Sequence, residues 1–153
     1  GRSGRGNKKG EVIIQTYSPD NPVIKCAARL DLTKYYNIAL SERQELKYPP
    51  FSWLAKVECS GPVLESAMHL AERVKKSLSK KYKGLYILGP APCYLEKIRN
   101  QFRFQIVFKS VKTLDPNGRK LHSYINKNFY DFPKKYQMGK NQLNIHMDPL
   151  SLI

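Results

Sequence analysis

From about Phe51 onward the sequence predicts an α+β domain with the order strand-helix-strand-strand-helix-strand. Three observations predict it: Ser52–Ser60 and Phe102–Lys109 alternate apolar and polar residues, two segments repeat apolar residues at helical spacing, and turn residues separate the segments. This βαββαβ order is that of the split, ferredoxin-like fold, with both helices on one face of the sheet. Nucleic-acid-binding domains, enzymes and metal carriers all use it, so the order alone gives no function.

The first 50 residues have a different pattern. Residues 1–10 are rich in glycine and cations, which predicts a loop, and the β-rich stretch Glu11–Tyr17 predicts a short strand. Helical spacing dominates residues 21–50, where Asp31 offers a second N-cap that would divide the segment into two helices. Because the two prolines that end this segment cannot donate backbone hydrogen bonds, we place a domain boundary there, before Phe51.

Each element after the boundary has a local signal. Gly61-Pro62 and Asp115-Pro116 mark the starts of two helices whose apolar residues recur every three or four positions. The first strand alternates as a half-buried strand would, and glycine and prolines interrupt the second one. The predicted strands are Ser52–Ser60, Leu85–Leu88 with a possible continuation over Tyr94–Ile98, Phe102–Lys109 and Gln142–Met147.

Charge is the strongest bulk signal in the 153-residue chain. Lys and Arg number 27 against 12 Asp and Glu, which gives a formal net charge of +15. Such a field concentrates around polyanions, and nucleic acid is the commonest of these in cells. The simpler alternative is a Lys-rich surface without that role. No apolar run approaches the roughly 20 residues that span a bilayer, and no signal peptide is recognisable, so we expect a cytoplasmic, nucleoid-associated protein without a membrane partner.

The residue types that carry catalysis or metal binding are isolated. Cys26, Cys59 and Cys93 form no C-x-x-C pair, and the histidines belong to no metal-binding motif, so no metal site is predicted and reduced thiols are expected. Paired carboxylates, a nucleophile elbow and a Walker-type phosphate loop are also missing from the sequence. Catalysis by this chain alone has little support.

The first basic motif is GRSGRG at residues 1–6. Arg2 and Arg5 stand three residues apart, and each follows a glycine, Gly1 or Gly4. Glycine permits a tight loop and the arginine fork matches phosphate oxygens, so the pattern favours a phosphate-binding loop. The alternative is a flexible arginine-glycine tail with affinity for nucleic acid. The predicted strand directly behind the motif favours a folded context.

The second basic motif lies at a predicted hairpin turn between two strands. It contains Lys97, Arg99 and Arg103, interleaved with aromatic residues. Cations of this kind can contact phosphates, and an exposed ring can stack on a base at about 1–3 kcal/mol. Phe102 and Phe104 share the alternation of the core face, so we expect them in the core and assign only the cations to DNA. Plain solvation of these cations is the alternative.

The third basic motif is Arg119 and Lys120, near the start of a predicted helix. Cations at that end oppose the helix dipole, which is unfavourable by about 0.3–1 kcal/mol each. An acidic partner peptide or a phosphate would relieve this, so these two residues are candidates for partner binding.

Four segments of the chain have a recognisable combined pattern: GRSGRG with GEVIIQTYSPDNPVI, SERQELKYPPFSWLAKV, LGPAPCYLEKIRNQFRFQIVFK and IHMDPLSLI. Taken together, they resemble the PriA family of primosomal replication-restart DNA helicases. The resemblance runs in family order over nearly the whole chain, from the last helicase motif to the C-terminal end.

The resemblance implies an ATP-dependent DNA helicase that recognises stalled or branched forks and restarts replication by primosome assembly. It implies that residues 1–20 end the second RecA-like motor lobe and contain its last strand. Residues 21–50 would be a helical linker, and residues 51–153 a DNA-binding C-terminal domain similar to a small-subunit ribosomal protein. The partners it implies are branched and single-stranded DNA, single-strand-binding protein and other primosome proteins.

The resemblance also implies the cofactors. Arg2 and Arg5 match arginines that the family directs at the ATP phosphates, where they stabilise charge that develops in phosphoryl transfer. ATP and Mg belong to the full-length family, and zinc to a region upstream of this chain. Because the chain starts at glycine rather than methionine and has no nucleotide-binding loop, we expect a piece of a longer protein that binds none of these alone and is inactive as an enzyme.

Two other functions stay open at this point. The chain could be a free-standing RNA- or ribosome-binding βαββαβ module with an unfolded basic tail. It could also be a small phosphatase-like βαββαβ catalyst, although it lacks an obvious arginine-asparagine phosphate site.

Overall fold

The computed structural model describes residues 12–132 and 138–149. The chain forms two compact units, Gly1–Glu42 and Arg43–Ile153. Two helices lie before the sheet, α1 (Pro22–Arg29) and α2 (Leu32–Glu45).

Both helix starts in this segment are capped as their sequences predict. The side chain of Asn21 accepts a hydrogen bond from the backbone N–H of Val23 at 2.8 Å, with Pro22 in the first turn. Asp31 accepts from the N–H of Lys34 at 2.9 Å, so the second cap is present and the segment is two helices.

The strand predicted over Glu11–Tyr17 is not found in the described part of that stretch. Residues 12–17 have no strand conformation, and the one sheet among the described residues is built entirely from the second unit. A strand is stabilised by hydrogen bonds to a neighbour, and β-rich composition by itself does not supply one.

The second unit has the predicted βαββαβ order. Its sheet is antiparallel with the strand order β2-β3-β1-β4. This is the arrangement expected of a split βαβ fold, because β3 lies between the two strands that α3 connects. The elements are β1 (Ser52–Gly61), α3 (Leu64–Ser77), β2 (Leu85–Ile98), β3 (Gln101–Val111), α4 (Arg119–Phe129) and β4 (Gln142–Met147).

The core lies between the sheet and the two helices of this unit. Val57, Ile106 and Phe108 project from the central strands and are fully buried. Ala71 of α3 and Leu121 of α4 meet them with no exposed surface. Each large apolar side chain buried in this way stabilises the fold by about 1.5–3 kcal/mol. The packed sheet therefore gives the loops and the hairpin at its edges a stable support.

The prediction that β1 is half-buried is wrong, because both faces of the strand are covered. On the face away from the helices, Lys56 and Glu58 are only 5% and 7% exposed. Lys109, on the same face of the neighbouring strand, donates to the carbonyl of Leu46 at 3.0 Å, and its ammonium lies 3.5 Å from the ring centroid of Tyr48. The chain segment before β1 thus folds back over the sheet face that the helices leave open.

Asp115 fixes the start of α4 to the end of β3. Its buried carboxylate accepts hydrogen bonds from the Ser110 hydroxyl at 2.9 Å and from the N–H groups of Lys120 and Leu121 at 3.1 and 3.0 Å. Burial acts to raise the pKa of this carboxyl, but these bonds outweigh it and hold the pKa below its ordinary value. The backbone carbonyl of Asp115 also accepts from the Trp53 indole at 2.9 Å, which ties the helix to β1.

Candidate nucleic-acid interface

The β2–β3 hairpin carries the second basic motif at its tip, as the sequence predicts. Ile98 pairs with Gln101, so Arg99 and Asn100 form a two-residue turn, and both have positive φ angles, 48° and 57°. Positive φ at both central residues is characteristic of the tight turns that match the twist of a hairpin. Lys97 and Arg99 are exposed on this tip.

The aromatic residues of this motif face the core side, as expected. Phe104 is 7% exposed and belongs to the core. Phe102 packs against that core, and the Lys97 ammonium lies over its ring at 4.7 Å from the centroid. Lys97 remains exposed with its ammonium in this position, so it keeps a charge that a phosphate can approach.

Arg103 has a different environment from the other two cations. Its guanidinium forms a two-point pair with Glu58, with Nε and an Nη atom donating to the carboxylate oxygens at 2.9 and 2.7 Å. The second Nη atom donates to the carbonyl of Leu95 at 3.3 Å. The structure therefore brings Lys97 and Arg99 together at the exposed tip and places Arg103 behind them in a charge pair.

The pair with Arg103 is the main influence on the protonation of Glu58. Hydrogen bonding to Arg103 is the largest influence on Glu58 and lowers its pKa against the opposing effect of burial. The Lys56 ammonium, 3.5 Å from the same carboxylate, acts in the same direction. One buried carboxylate thus pairs with the buried Lys56 and the partly buried Arg103, which leaves Glu58 ionised in the folded protein.

The third basic motif lies in a shallow pocket between the end of α3 and the start of α4. Arg119 and Lys120 begin α4, whose first turn contains no acidic residue. The Lys120 ammonium donates to the carbonyl of Leu114 at 2.6 Å, so Arg119 is the less engaged of the two. The pocket has a volume of about 390 Å³ and is lined by Ser79, Lys80, Tyr82, Arg119, Lys120, Ser123, Tyr124 and Lys127.

Two of the four pocket cations, Arg119 and Lys120, were predicted from the sequence, and Lys80 and Lys127 were not. Lys80 follows α3, and Lys127 is two turns along α4, so neither is adjacent to Arg119 in sequence. Two hydrogen bonds join α4 to Ser79, which follows α3. The Asn128 side chain accepts from the N–H of Ser79 at 2.8 Å, and the Tyr124 hydroxyl donates to the carbonyl of Ser79 at 2.7 Å. Helical spacing could have placed Lys127 two turns from Arg119 on one face, whereas Lys80 required the tertiary contact.

The first basic motif, with Gly1, Arg2, Gly4 and Arg5, lies outside the described residues. Within the described part of the chain, no cluster of three or more metal-ligating side chains is present, and no helix is long and apolar enough to cross a membrane. Burial raises the pKa of Cys59 to about 12, so its thiol stays protonated and is a poor metal ligand.

Comparison with known proteins places this architecture in a family. The family model described as the primosomal protein N C-terminal domain matches residues 44–150. The replication restart protein PriA of Chlamydia pneumoniae is 35% identical over 123 residues, which is 80% of this chain and 16% of that protein. The same protein of Bacillus subtilis is 28% identical over 154 residues, which is 100% of this chain and 18% of the relative.

These matches cover only a small part of the relatives. A third relative, the replication restart protein PriA of Synechocystis, is 34% identical over 113 residues, 71% of this chain and 13% of its own length. The chain therefore spans less than a fifth of each of these curated relatives. Because the family model spans β1 to β4 and both helices between them, the chain belongs to the primosomal protein N C-terminal domain family of replication restart proteins.

Proposed function

We propose that this chain is the DNA-binding C-terminal part of an ATP-dependent helicase that recognises branched replication forks and restarts replication by primosome assembly. The observation that carries the DNA-binding part is the hairpin tip, where Lys97, near the end of β2, and Arg99, in the turn, are both exposed. The formal net charge of +15 supports it, and so does membership of a family of replication restart proteins.

The tip suits the sugar-phosphate backbone more than base edges. Two exposed cations at the tip, one in the turn and one at the end of β2, offer charges to phosphates, and such contacts position a protein on DNA without reading its sequence. Glu96 is also exposed on the approach to the turn, so the phosphates are expected to follow the Lys97 and Arg99 side of the tip. Binding that depends on DNA shape and salt, and little on sequence, follows from this composition.

The ATP-dependent reaction belongs to the proposed whole protein. Arg2 and Arg5 would contribute to its ATP site together with a phosphate-binding loop that this sequence does not contain. The isolated chain is therefore proposed to bind DNA and partners without hydrolysing ATP.

Reversing the charge at the hairpin tip is expected to weaken DNA binding about tenfold or more. The double variant Lys97→Glu with Arg99→Glu removes two phosphate contacts, so the slope of log affinity against log salt should fall by about 1.8. Fluorescence anisotropy with a labelled forked DNA at several salt concentrations measures both quantities.

The matched control is Lys76→Glu with Lys83→Glu, which makes the same charge change at two exposed lysines near the end of α3 and the start of β2. This control is expected to lose clearly less affinity for the forked DNA than the variant of the hairpin tip. Equal losses for the two double variants would show a diffuse field and contradict a site at the tip. Equal affinity for a structured RNA and for forked DNA would instead favour an RNA-binding module.

We also propose that the pocket at the start of α4 binds an acidic segment of a partner protein, for which single-strand-binding protein is the candidate that the sequence resemblance suggests. Four cations line this pocket and none of its lining residues is acidic, while the Asp115 carboxylate at the start of α4 is buried and already bound to Ser110 and to two backbone N–H groups.

The pocket is tested with a labelled acidic peptide. Replacing both Arg119 and Lys127 with glutamate is expected to lower the affinity for the peptide about tenfold. Each lost charge contact contributes on the order of 0.5–1 kcal/mol at a partly exposed site. Lys140→Glu, which changes an exposed lysine outside the pocket, is the control. Unchanged peptide affinity in the double variant would remove the pocket from partner binding.

A further inference from the structure

We propose that the exposed ring of Tyr94 is a stacking platform for an unpaired base of single-stranded DNA next to the hairpin tip. This inference rests on the proposed function and deepens it, because it assigns to the same hairpin a preference for unpaired over duplex DNA. Tyr94 belongs to β2 and is 76% exposed.

Tyr94 lies on a wide bulge of β2. Pro92 pairs with Phe104, and the next pair is Lys97 with Phe102. Residues 93–96 of β2 therefore stand opposite Arg103 alone, four residues against one. Bulges re-aim side chains, and they are found next to functional sites more often than elsewhere in sheets.

The bulge is held on both sides of the tyrosine. Cys93, directly before it, is only 5% exposed. Directly after it, the carbonyl of Leu95 accepts a hydrogen bond from Arg103 at 3.3 Å. Arg103 is itself fixed by its two-point pair with Glu58. The backbone around Tyr94 is thus anchored to the sheet. Arg103 is a positioning residue, because it holds the segment that carries the tyrosine ring.

The exposed ring is not needed by the fold. The two phenylalanine rings of the hairpin do pack in the fold, since Phe104 is buried and Phe102 packs against the core with the Lys97 ammonium over it. A single exposed tyrosine is ordinary on a protein surface. Tyr94 differs from this background because an anchored bulge projects it and two exposed cations follow within five residues.

An exposed ring that two exposed cations follow within five residues on one hairpin fits one class of ligand well. Single-stranded nucleic acid offers flat, unstacked bases and a phosphate chain, and proteins bind it with aromatic rings and basic side chains together. Bases in a duplex are already stacked, and a ring reaches them only at the cost of unstacking a step. Tyr94 with Lys97 and Arg99 therefore favours the unpaired arm of a fork.

The test compares Tyr94→Ala, Tyr94→Phe and Tyr130→Ala in the full chain. Tyr130 is 80% exposed directly after α4, so it matches Tyr94 in size and exposure. Anisotropy is measured with a single-stranded oligonucleotide and with a fully paired duplex, and a 2-aminopurine base in the single strand reports stacking by fluorescence quenching. Circular dichroism confirms that each variant is folded.

Tyr94→Ala is expected to weaken single-strand binding about tenfold, to remove the quenching and to leave duplex binding within twofold, in line with base–aromatic stacking elsewhere. Tyr94→Phe should keep both signals, because its ring remains, and Tyr130→Ala should change neither. Equal loss on both DNAs, or no loss on either, overturns the inference. If Tyr94→Ala has no effect while reversal of Lys97 and Arg99 does, the inference fails and the DNA-binding function stands.

Discussion

Replacing Asp115 with alanine is expected to destabilise the C-terminal domain by about 3–5 kcal/mol. The substitution removes an ionised acceptor and leaves a buried hydroxyl and two N–H groups without their partner. Each unsatisfied buried donor is unfavourable by about 1–3 kcal/mol, and loss of a buried charged group belongs to the upper range. Urea denaturation followed by circular dichroism gives the free energy of unfolding.

Glu96→Ala is the control for this substitution, because Glu96 is exposed and its removal should change the free energy of unfolding by about 0.5 kcal/mol or less. A loss below about 1 kcal/mol in Asp115→Ala would contradict the role given to this carboxylate. The change should also be visible on β1, because the Asp115 backbone holds the indole of Trp53, the one tryptophan of the chain. Its fluorescence is expected to shift towards that of a solvated indole.

Replacing Glu58 with glutamine is expected to cost about 3 kcal/mol at neutral pH. Lys56 and Arg103 would then share a buried site without a counter-ion, and breaking a buried pair in this way is unfavourable by about 3–5 kcal/mol. In a cycle of Glu58→Gln, Arg103→Met and the double variant, the double variant should lose less than the sum of the singles, because the Arg103 charge that Glu58→Gln leaves without its carboxylate is absent from the double variant. Additive losses would contradict the coupling.

The same pair gives this substitution a pH signature. The pKa of Glu58 is lowered in the folded protein, so the unfolded chain takes up its proton at a higher pH than the folded one. The contribution of Glu58 is fully present above the unfolded value, near pH 4.3, and is lost as the pH falls through the lower folded pKa. The gap in unfolding free energy between wild type and Glu58→Gln should therefore narrow below about pH 4 and stay constant above pH 6.

The order of elements in the sheet domain could be predicted because its signals are local. Alternation in Phe102–Lys109 and in Gln142–Met147, with helical spacing between them, reflects one face against a core. The cap at Asp31 was equally local. The burial of the second face of β1 could not be predicted, because it depends on a lysine of β3 reaching the carbonyl of Leu46, 63 residues away in sequence.

The candidate site could be predicted only in part for the same reason. The hairpin turn with Lys97 and Arg99 followed from turn composition, but the partner of Arg103 lies 45 residues away in β1. Alternation does put Glu58 and Arg103 on the same face of their strands, so a same-face charge pair was the available signal. The bulge that exposes Tyr94 had no such signal, because register shifts depend on how the two strands pair.

The irregularity of β2 has a consequence for how the domain meets other chains. β2 is an outer strand of the sheet, and outer strands are templates for unwanted strand addition and aggregation. Pro90 and Pro92 lack N–H groups, and the pairing shifts after Leu88 and again after Pro92, so this margin offers no regular ladder to a foreign strand. Another chain can therefore contact this edge of the sheet through its side chains more readily than by adding a strand to it.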